Sequence, residues 1–252
     1  MMAKHEELRA TALACAACPL VDTRTQVVFA RGSPEAKLWL IGEAPGAYED
    51  KQGQPFVGRA GELLDKILAA TGIGQDEVFI TNTVLCRPPG NRVPTNEEIT
   101  ACSVHRNALL DLWKPPLVVL LGATAARVFL GGNRLGDLRG QRVERDGRVY
   151  YATFHPAYLL RDPSKKALAW KEWQAIRDAF RQLAPDTEGE AARNAASLMP
   201  YLDQVIDTPQ GTGRLVQVFR DASAVVLDRE PRKVTRFPTA VLSQMLAHRR
   251  AV

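Results

Sequence analysis

The feature that most constrains this chain is the alternation of short apolar runs with helix-like segments between residues 37 and 182. The runs at 37–41, 78–84 and 117–121 carry no regular polar face. Strands that are buried on both faces and separated by helices are typical of a mostly parallel sheet covered on two sides. The sequence therefore predicts an α/β fold, a three-layer sandwich with a mostly parallel central sheet flanked by helices.

The boundaries of these elements follow from apolar periodicity and from capping and turn residues. Thr95 and Glu98 have the spacing of a capping box, and Asp146-Gly147 is a hairpin-turn signal. Helices are predicted at 3–14, 62–70, 95–113 and 164–182 and directly after Gly122, strands at 37–41, 78–84, 117–121 and 149–154, and a hairpin at 142–148.

The character of the chain changes at Pro185. Residues 185–190 are a polar linker, and residues 191–252 lack a clear strand–helix rhythm. Only a hairpin made by 215–218 and 224–227 and a short helix at 240–250 are predicted there. We expect one domain over residues 1–184, followed by a linker and C-terminal extension over residues 185–252.

Composition excludes several classes of protein. The 252 residues are 46% hydrophobic and 24% charged, which rules out a wholly disordered chain, a collagen-like fibre and a disulfide-dense module. A net charge of +5 permits a polyanionic partner without requiring one. No apolar run is long enough for a transmembrane helix, and the N-terminus lacks a signal-peptide core. We expect a monomeric, cytoplasmic protein with no membrane partner.

The four cysteines are candidate ligands. Cys15 and Cys18 have a spacing that lets both thiolates face one metal centre, and Cys86 and Cys102 follow. In a reducing compartment, metal or cluster ligation competes well with disulfide formation. Four thiolates suit a structural zinc ion or a [4Fe–4S] cluster, and the alternative is a lone C-x-x-C with two buried core cysteines.

Three further segments begin where predicted strands end: 42–46, 82–89 and 155–161. In parallel sheets, ligands bind at the carboxyl ends of the strands. We therefore expect these segments to assemble into one pocket.

Motifs of a known enzyme family occupy the same segments. Five stretches closely resemble, in the same order, the signatures of the iron–sulfur uracil-DNA glycosylases, the fourth family of that superfamily: 42–46 (GEAPG), 49–50 (ED), 55–61 (PFVGRAG), 80–92 (ITNTVLCRPPGNR) and 155–161 (HPAYLLR). All four cysteines fall where that family places its cluster ligands. The resemblance implies a [4Fe–4S] cluster held by Cys15, Cys18, Cys86 and Cys102.

Excision of a base from DNA requires an extruded nucleotide, a pocket for the flipped base, and stabilisation of a cationic sugar and an anionic leaving group. Under the resemblance, Phe56 would stack on the base and Asn82 would pair with one edge of uracil. Gly42 and Ala44 lie in the same tight loop and are expected to border the base. A core aromatic and a turn-forming asparagine are the alternatives for Phe56 and Asn82.

Two further residues would act on the reaction itself. His155 would donate a hydrogen bond to uracil O2 as negative charge builds there. Glu43 would position a water and offset the positive charge of the sugar, with Glu49 as a helper, because Ala44 stands where other branches carry an aspartate. A capping carboxylate is the alternative for Glu43. The other histidines are expected to be solvated: His5, His105 and His248.

The segment after His155 is the predicted DNA contact. Tyr158 and Leu159 would wedge into the DNA while Arg161 meets a phosphate, although a turn of a core helix has the same pattern. Arg87 is a further predicted phosphate contact, or simply a surface charge. A related branch captures uracil-DNA covalently through a histidine in an inserted loop, but residues 87–94 contain no histidine.

The sequence thus predicts a monofunctional uracil-DNA glycosylase that flips uracil out of single- or double-stranded DNA and leaves an abasic site for base-excision repair. The alternatives are a non-catalytic iron–sulfur protein that binds uracil-DNA and a small redox carrier, the latter having no use for the strand-end residues. The C-terminal extension is a candidate contact for a repair or replication partner.

Overall fold

The computed structural model describes residues 1–132, 134–183, 198, 204–208, 211–217, 222–227, 234–239 and 241–242. The chain divides into two compact units, Met1–Leu183 and Ala184–Val252. No helix in the described ranges is both long enough and apolar enough to cross a membrane.

A six-stranded sheet forms the centre of the first unit. Its strands are β1 (Arg31–Gly32), β2 (Leu38–Gly42), β3 (Val78–Asn82), β4 (Leu117–Leu121), β5 (Arg142–Arg145) and β6 (Arg148–Thr153). They are ordered β1-β3-β2-β4-β6-β5. The four inner strands are parallel, and the two edge strands, β1 and β5, are antiparallel to their neighbours.

Helices cover both faces of this sheet. They are α1 (Met2–Leu13), α2 (Ala47–Gln52), α3 (Arg59–Thr71), α4 (Asn96–Trp113), α5 (Ala123–Leu130), α6 (Leu135–Leu138), α7 (Pro156–Arg161) and α8 (Lys166–Leu183). Side chains of α1, α4 and α5 belong to one apolar cluster, and those of α3 and α8 belong to the other. Every residue of β2, β3 and β4 is buried, because each strand contributes to both clusters. The predicted α/β sandwich is confirmed.

The local signals act as expected at two places. The Thr95 Oγ1 accepts a hydrogen bond from the Glu98 N–H at 3.2 Å, and the Thr95 N–H donates to Glu98 Oε2 at 2.8 Å, which completes the predicted capping box. Asp146 and Gly147 both have positive φ and join β5 to β6, as the hairpin signal predicted.

Some boundaries differ from the prediction. The strand expected over 78–84 ends at Asn82, where Thr83 and Val84 instead donate backbone hydrogen bonds to the carbonyls of Gly42 and Glu43. The helix expected over 62–70 begins at Arg59, immediately after Gly58. Three short helices, α2, α6 and α7, were not predicted, because six residues or fewer are too few to show a helical period.

The second unit contains a four-stranded antiparallel sheet of β7 (Val205–Thr208), β8 (Gly211–Gln217), β9 (Ala222–Leu227) and β10 (Val234–Pro238) in the order β10-β9-β8-β7. The predicted hairpin corresponds to β8 and β9, which pair antiparallel. The strands β7 and β10 were not predicted, and they extend this hairpin to four strands. The helix predicted at 240–250 lies outside the described residues except at Val241 and Leu242, which are helical.

Candidate functional site

A cavity of about 570 Å³ opens at the carboxyl ends of the four parallel strands. Residues that follow each of these strands line it: Glu43–Gly46 after β2, Asn82 at the end of β3, Leu121–Ala123 at the end of β4, and Phe154 and His155 after β6. The expectation that the strand-end segments meet in one pocket is confirmed. The predicted residues in its lining are Glu43, Ala44, Glu49, Phe56, Asn82, His155, Tyr158 and Arg161.

Phe56 forms an aromatic wall of the cavity. Its backbone has a φ of 56°, a conformation that costs energy for a residue other than glycine. A Cβ on Gly61 would lie 1.8 Å from the carbonyl oxygen of Phe56, so only glycine at position 61 leaves room for this backbone. The Phe56 ring stacks against the His155 imidazole, with centroids 5.6 Å apart and planes inclined by 27°.

Asn82 is buried at the end of β3 and presents its amide to the same cavity. Its Oδ1 accepts no hydrogen bond from the described residues. A Cβ on Gly42 would lie 2.4 Å from this oxygen and 2.7 Å from Phe56 Cζ. Gly42 does not line the cavity itself, but it allows Asn82 and Phe56 to approach the backbone of β2.

Glu43 is half-buried in the cavity lining and is positioned by a neighbouring helix. Its Oε2 accepts a short hydrogen bond from the hydroxyl of Thr124, which is buried in the first turn of α5. A capping role is excluded by this partner, because the carboxylate bonds a side chain of another element and no helical N–H. Thr124 was missed by the sequence analysis, although it follows the end of β4 as the predicted segments follow their strands.

Glu49 also lines the cavity, but its carboxylate accepts hydrogen bonds from backbone N–H groups. Its Oε1 accepts from the N–H groups of Val57 and Gly58 at 3.1 and 2.9 Å, and its Oε2 accepts from the N–H of Gly46 at 3.1 Å. These three bonds join the loop after β2 to the loop that carries Phe56. The geometry therefore gives Glu49 a positioning role and leaves it poorly placed to activate water.

His155 caps the short helix α7. Its Nδ1 accepts a hydrogen bond from the N–H of Ala157 at 3.2 Å. Burial, with a smaller contribution from Arg161, lowers the pKa of His155 to about 4, and the carboxylate of Glu49 opposes this shift. The imidazole is therefore neutral near pH 7, and because Nδ1 accepts, its proton resides on Nε2. His155 is a neutral donor beside the cavity.

Only part of the predicted DNA-contact segment is exposed to solvent. Leu159 is 1% exposed, so its prediction as a wedge is wrong: in α7 this side chain faces the core. The Tyr158 ring stacks on Phe154 with centroids 5.4 Å apart, and its hydroxyl donates to Asp162 at 3.2 Å. Arg161 is exposed at the cavity and can meet a phosphate. Arg87 lies outside the lining and donates to Asn91 at 2.8 Å.

The loop that carries His155 packs on a partly buried ion pair that the sequence did not predict. Glu172 is 5% exposed, bonds Arg139, and accepts from the hydroxyl of Thr153 at 2.7 Å. The Arg139 guanidinium lies over the Phe154 ring, 4.8 Å from its centroid. These residues are distant in sequence, and no local pattern predicts their contact.

The four cysteines line one small cavity on the α1/α4 side of the sheet: Cys15, Cys18, Cys86 and Cys102. Burial raises the pKa of Cys102 to about 11 and also raises the pKa of Cys86, and the other thiols add to both shifts. None of the four forms a disulfide bond in the described part of the chain. The described residues contain no group of three or more His, Cys, Asp or Glu side chains arranged to hold a single metal ion.

Two donors point at these sulfurs. The Arg24 guanidinium donates to Cys86 Sγ at 3.1 Å and to the carbonyl of Cys15 at 2.7 Å. The N–H of Leu85 donates to Cys102 Sγ at 3.4 Å. His105 lines the same cavity and is buried, contrary to the expectation that it is solvated. Donors of this kind stabilise thiolates and therefore suit a set of cysteines that act as ligands.

Comparison with known proteins shows the family to which the chain belongs. The model of the uracil DNA glycosylase superfamily matches residues 29–179. A type-4 uracil-DNA glycosylase of Thermotoga maritima is 44% identical over 155 residues, which cover 60% of this chain and 81% of the relative. A type-4 uracil-DNA glycosylase of Sulfurisphaera tokodaii is 36% identical over 69% of this chain and 83% of the relative. A DNA polymerase of Bacillus phage SP01 is 27% identical over 82% of this chain and 22% of the relative.

Proposed function

Because this chain belongs to the uracil-DNA glycosylase superfamily, we propose that it excises uracil from DNA by hydrolysing the N-glycosidic bond. The reaction leaves an abasic site and initiates base-excision repair. The observation that carries the proposal is the convergence of Phe56, Asn82, Glu43 and His155 on one cavity at the carboxyl ends of the parallel strands. Electron transfer by a redox carrier would require none of these four side chains.

The cavity has the groups needed to bind a flipped base. The Phe56 ring offers a stacking face, and the Asn82 amide can match O4 and N3–H of uracil with its NH₂ and its carbonyl oxygen. The buried Oδ1 has no donor among the described residues, and a buried acceptor without a partner costs about 1–3 kcal/mol. A base that donates to this oxygen removes that cost.

His155 and Glu43 would stabilise the two charges that form as the glycosidic bond breaks. The neutral imidazole can donate from Nε2 to uracil O2 as the leaving group becomes anionic, which is worth on the order of 10²–10³ in rate. Glu43, held by Thr124, can offset the cationic sugar and orient the water that attacks it. Glu49 is assigned to positioning, because its carboxylate is bonded to three backbone N–H groups.

We also propose that Cys15, Cys18, Cys86 and Cys102 hold a [4Fe–4S] cluster with a structural role. Four thiolates around one metal-sulfur group are the usual ligand set of such clusters. The four side chains line one small cavity, which supports a single shared group, and the family resemblance of the sequence favours a cluster over zinc. The cluster would join the segment after α1, the segment after β3 and helix α4.

The test of excision uses an oligonucleotide with a single uracil, followed by heating in alkali. Strand scission at the uracil supports an enzyme, whereas a retarded but intact oligonucleotide supports the non-catalytic uracil-DNA-binding alternative. Glu43→Gln and His155→Ala should each slow single-turnover excision by on the order of a hundredfold or less with the fold retained. An unchanged rate in either variant would remove that residue from the mechanism.

Iron and zinc analysis of the purified protein tests the cluster. We expect yellow-brown protein with broad absorption in the blue part of the visible range. Colourless protein that contains stoichiometric zinc would contradict the assignment.

The partner, the oligomeric state and the compartment stay predictions. The match to the phage polymerase covers 82% of this chain, which is more than Met1–Leu183 supplies, so the similarity reaches into the C-terminal extension. This similarity to a DNA polymerase supports the prediction that residues 185–252 contact a replication partner. A monomer in the cytoplasm, acting on single- or double-stranded uracil-DNA, is the expected state.

A further inference from the structure

Arg106 is a buried cation that none of the roles above uses. It lies on α4 and is 8% exposed. Its Nε has no hydrogen-bond partner, and no carboxylate of the described residues pairs with its guanidinium. A buried charge without a counter-charge is costly, and removal from water lowers the pKa of Arg106.

Two features of its surroundings relieve this cost. Arg106 follows Cys102 by one helical turn, so both side chains project from the same side of α4. A cluster held by Cys102 would therefore bring its negative charge to within about one helical turn of this guanidinium along α4. The guanidinium also lies over the Phe129 ring, 5.1 Å from its centroid.

On its other side, Arg106 reaches the segment that reads the base. Its guanidinium donates to the carbonyl of Thr83 at 3.4 Å, and Thr83 is the residue after Asn82. Thr83 in turn donates from its N–H and its hydroxyl to the carbonyl of Gly42, at 2.9 and 2.8 Å. Gly42 is the residue against which Asn82 and Phe56 pack.

The segment 82–86 thus has the base-reading Asn82 at one end and the ligand Cys86 at the other, with Arg106 bonded near its start. We infer that Arg106 is a positioning residue that couples the cysteine-held cluster to the uracil pocket. It supplies a counter-charge to the anionic cluster and braces the Thr83 carbonyl, which holds Asn82 against Gly42. This inference rests on the proposed cluster and on the proposed excision of uracil.

The reduction potential of an iron–sulfur cluster depends on the net charge around it and on hydrogen bonds to its sulfurs. Removal of the Arg106 charge makes the surroundings more negative, so Arg106→Met should shift the midpoint potential to more negative values. Release of the Thr83 carbonyl should loosen Asn82, and binding of free uracil as an inhibitor should weaken by about tenfold, the loss expected for one hydrogen bond.

Arg148→Met is the matched control. Arg148 is also a largely buried arginine whose Nε has no partner among the described residues. It donates to the carbonyl of Leu110 in α4 at 2.9 Å and lies 4.0 Å from the carboxylate of Asp111. Leu110 lies at the other end of α4 from the cysteine cavity. Arg148→Met should lower the melting temperature about as much as Arg106→Met, while the potential and the uracil inhibition constant stay unchanged.

The experiment measures three quantities on each full-length, iron-loaded variant: the cluster midpoint potential, the inhibition constant of free uracil, and the melting temperature. Arg106→Lys keeps the charge but is too short to reach Thr83 in the same geometry, so it should restore the potential and leave uracil binding weak. Iron-loaded Arg106→Met with an unchanged potential and an unchanged inhibition constant overturns the inference. Wild-type protein without iron, or without excision, instead overturns the cluster or the activity on which it rests.

Discussion

At the scale of single residues, Asn82 is the residue that we propose to select the base. Uracil presents an acceptor at O4 and a donor at N3–H, and cytosine presents the reverse pattern. An asparagine amide matches either base after half a turn, so discrimination requires neighbours that hold it one way. The glycine at position 42 leaves room for this amide, because a Cβ there would lie 2.4 Å from Oδ1.

Asn82→Asp should therefore change the specificity of excision. Aspartate replaces the amide donor by a second acceptor, which removes the match to O4 and can accept from the N4 amine of cytosine. We expect uracil excision to fall by about a hundredfold and slow cytosine excision to appear, measured as alkali-labile scission of single strands. Asn91→Asp is the control, because Asn91 lines the same cavity and bonds Arg87. Undiminished uracil excision by Asn82→Asp would show that Asn82 does not read the base.

His155 should make the stability of the protein depend on pH. In the unfolded chain a histidine binds a proton below about pH 6.5, but in the fold its pKa is about 4. Between these values the unfolded state binds more protons, so the free energy of unfolding falls as the pH falls through this window. We expect His155→Gln to show a shallower fall between pH 7 and pH 5 in urea titrations. If the free energy of unfolding falls equally with pH in the wild type and in His155→Gln, the pKa of His155 is not depressed.

At the scale of elements, the loop between α2 and α3 carries the strain of the site. It holds Phe56 at positive φ and is joined to the loop after β2 through the carboxylate of Glu49. Gly61, in the first turn of α3, gives the Phe56 carbonyl its space. The element therefore depends on a glycine that touches neither the base nor the sugar.

Gly61→Ala should damage this loop. A Cβ 1.8 Å from a backbone oxygen forces the backbone to move, and Phe56 moves with it. We expect a loss of about 1–3 kcal/mol in the free energy of unfolding and a larger proportional loss of uracil excision. Gly136→Ala is the control, since a Cβ there meets nothing within 4 Å and the residue lies in helix α6. Equal effects of the two substitutions would contradict the role assigned to Gly61.

At the scale of the whole molecule, the site and the extension belong to different compact units. Every residue of the two cavities falls within Met1–Leu183, and the superfamily match ends at residue 179. The sheet of the first unit buries both of its faces against its own helices.

A fragment of residues 1–183 should therefore keep both activity and cluster. We expect its single-turnover rate on a uracil oligonucleotide to lie within about threefold of that of the full chain, with the same iron content. The iron content is the internal control, because it separates a misfolded fragment from an inactive one. An iron-loaded fragment that does not excise uracil would assign residues 184–252 to the catalytic unit.

The sequence by itself determined the architecture and most of the predicted residues that meet in the strand-end cavity. Apolar strands without a polar face, a capping box and a hairpin turn are local signals, and they act through the residues that carry them. The strand-end rule then predicts a common pocket for Glu43, Asn82 and His155, because parallel strands finish at the same edge of a sheet.

Tertiary structure decided how each group is used. Leu159 and His5 are buried on a short helix and a terminal helix, which show no period from which the core-facing side can be read. His105 is buried because its side of α4 lines the cysteine cavity. The bond from Thr124 to Glu43 and the bond from Arg106 to Thr83 are contacts between distant segments. Such contacts arise only when the sheet brings these segments together, so no local pattern in the chain encodes them.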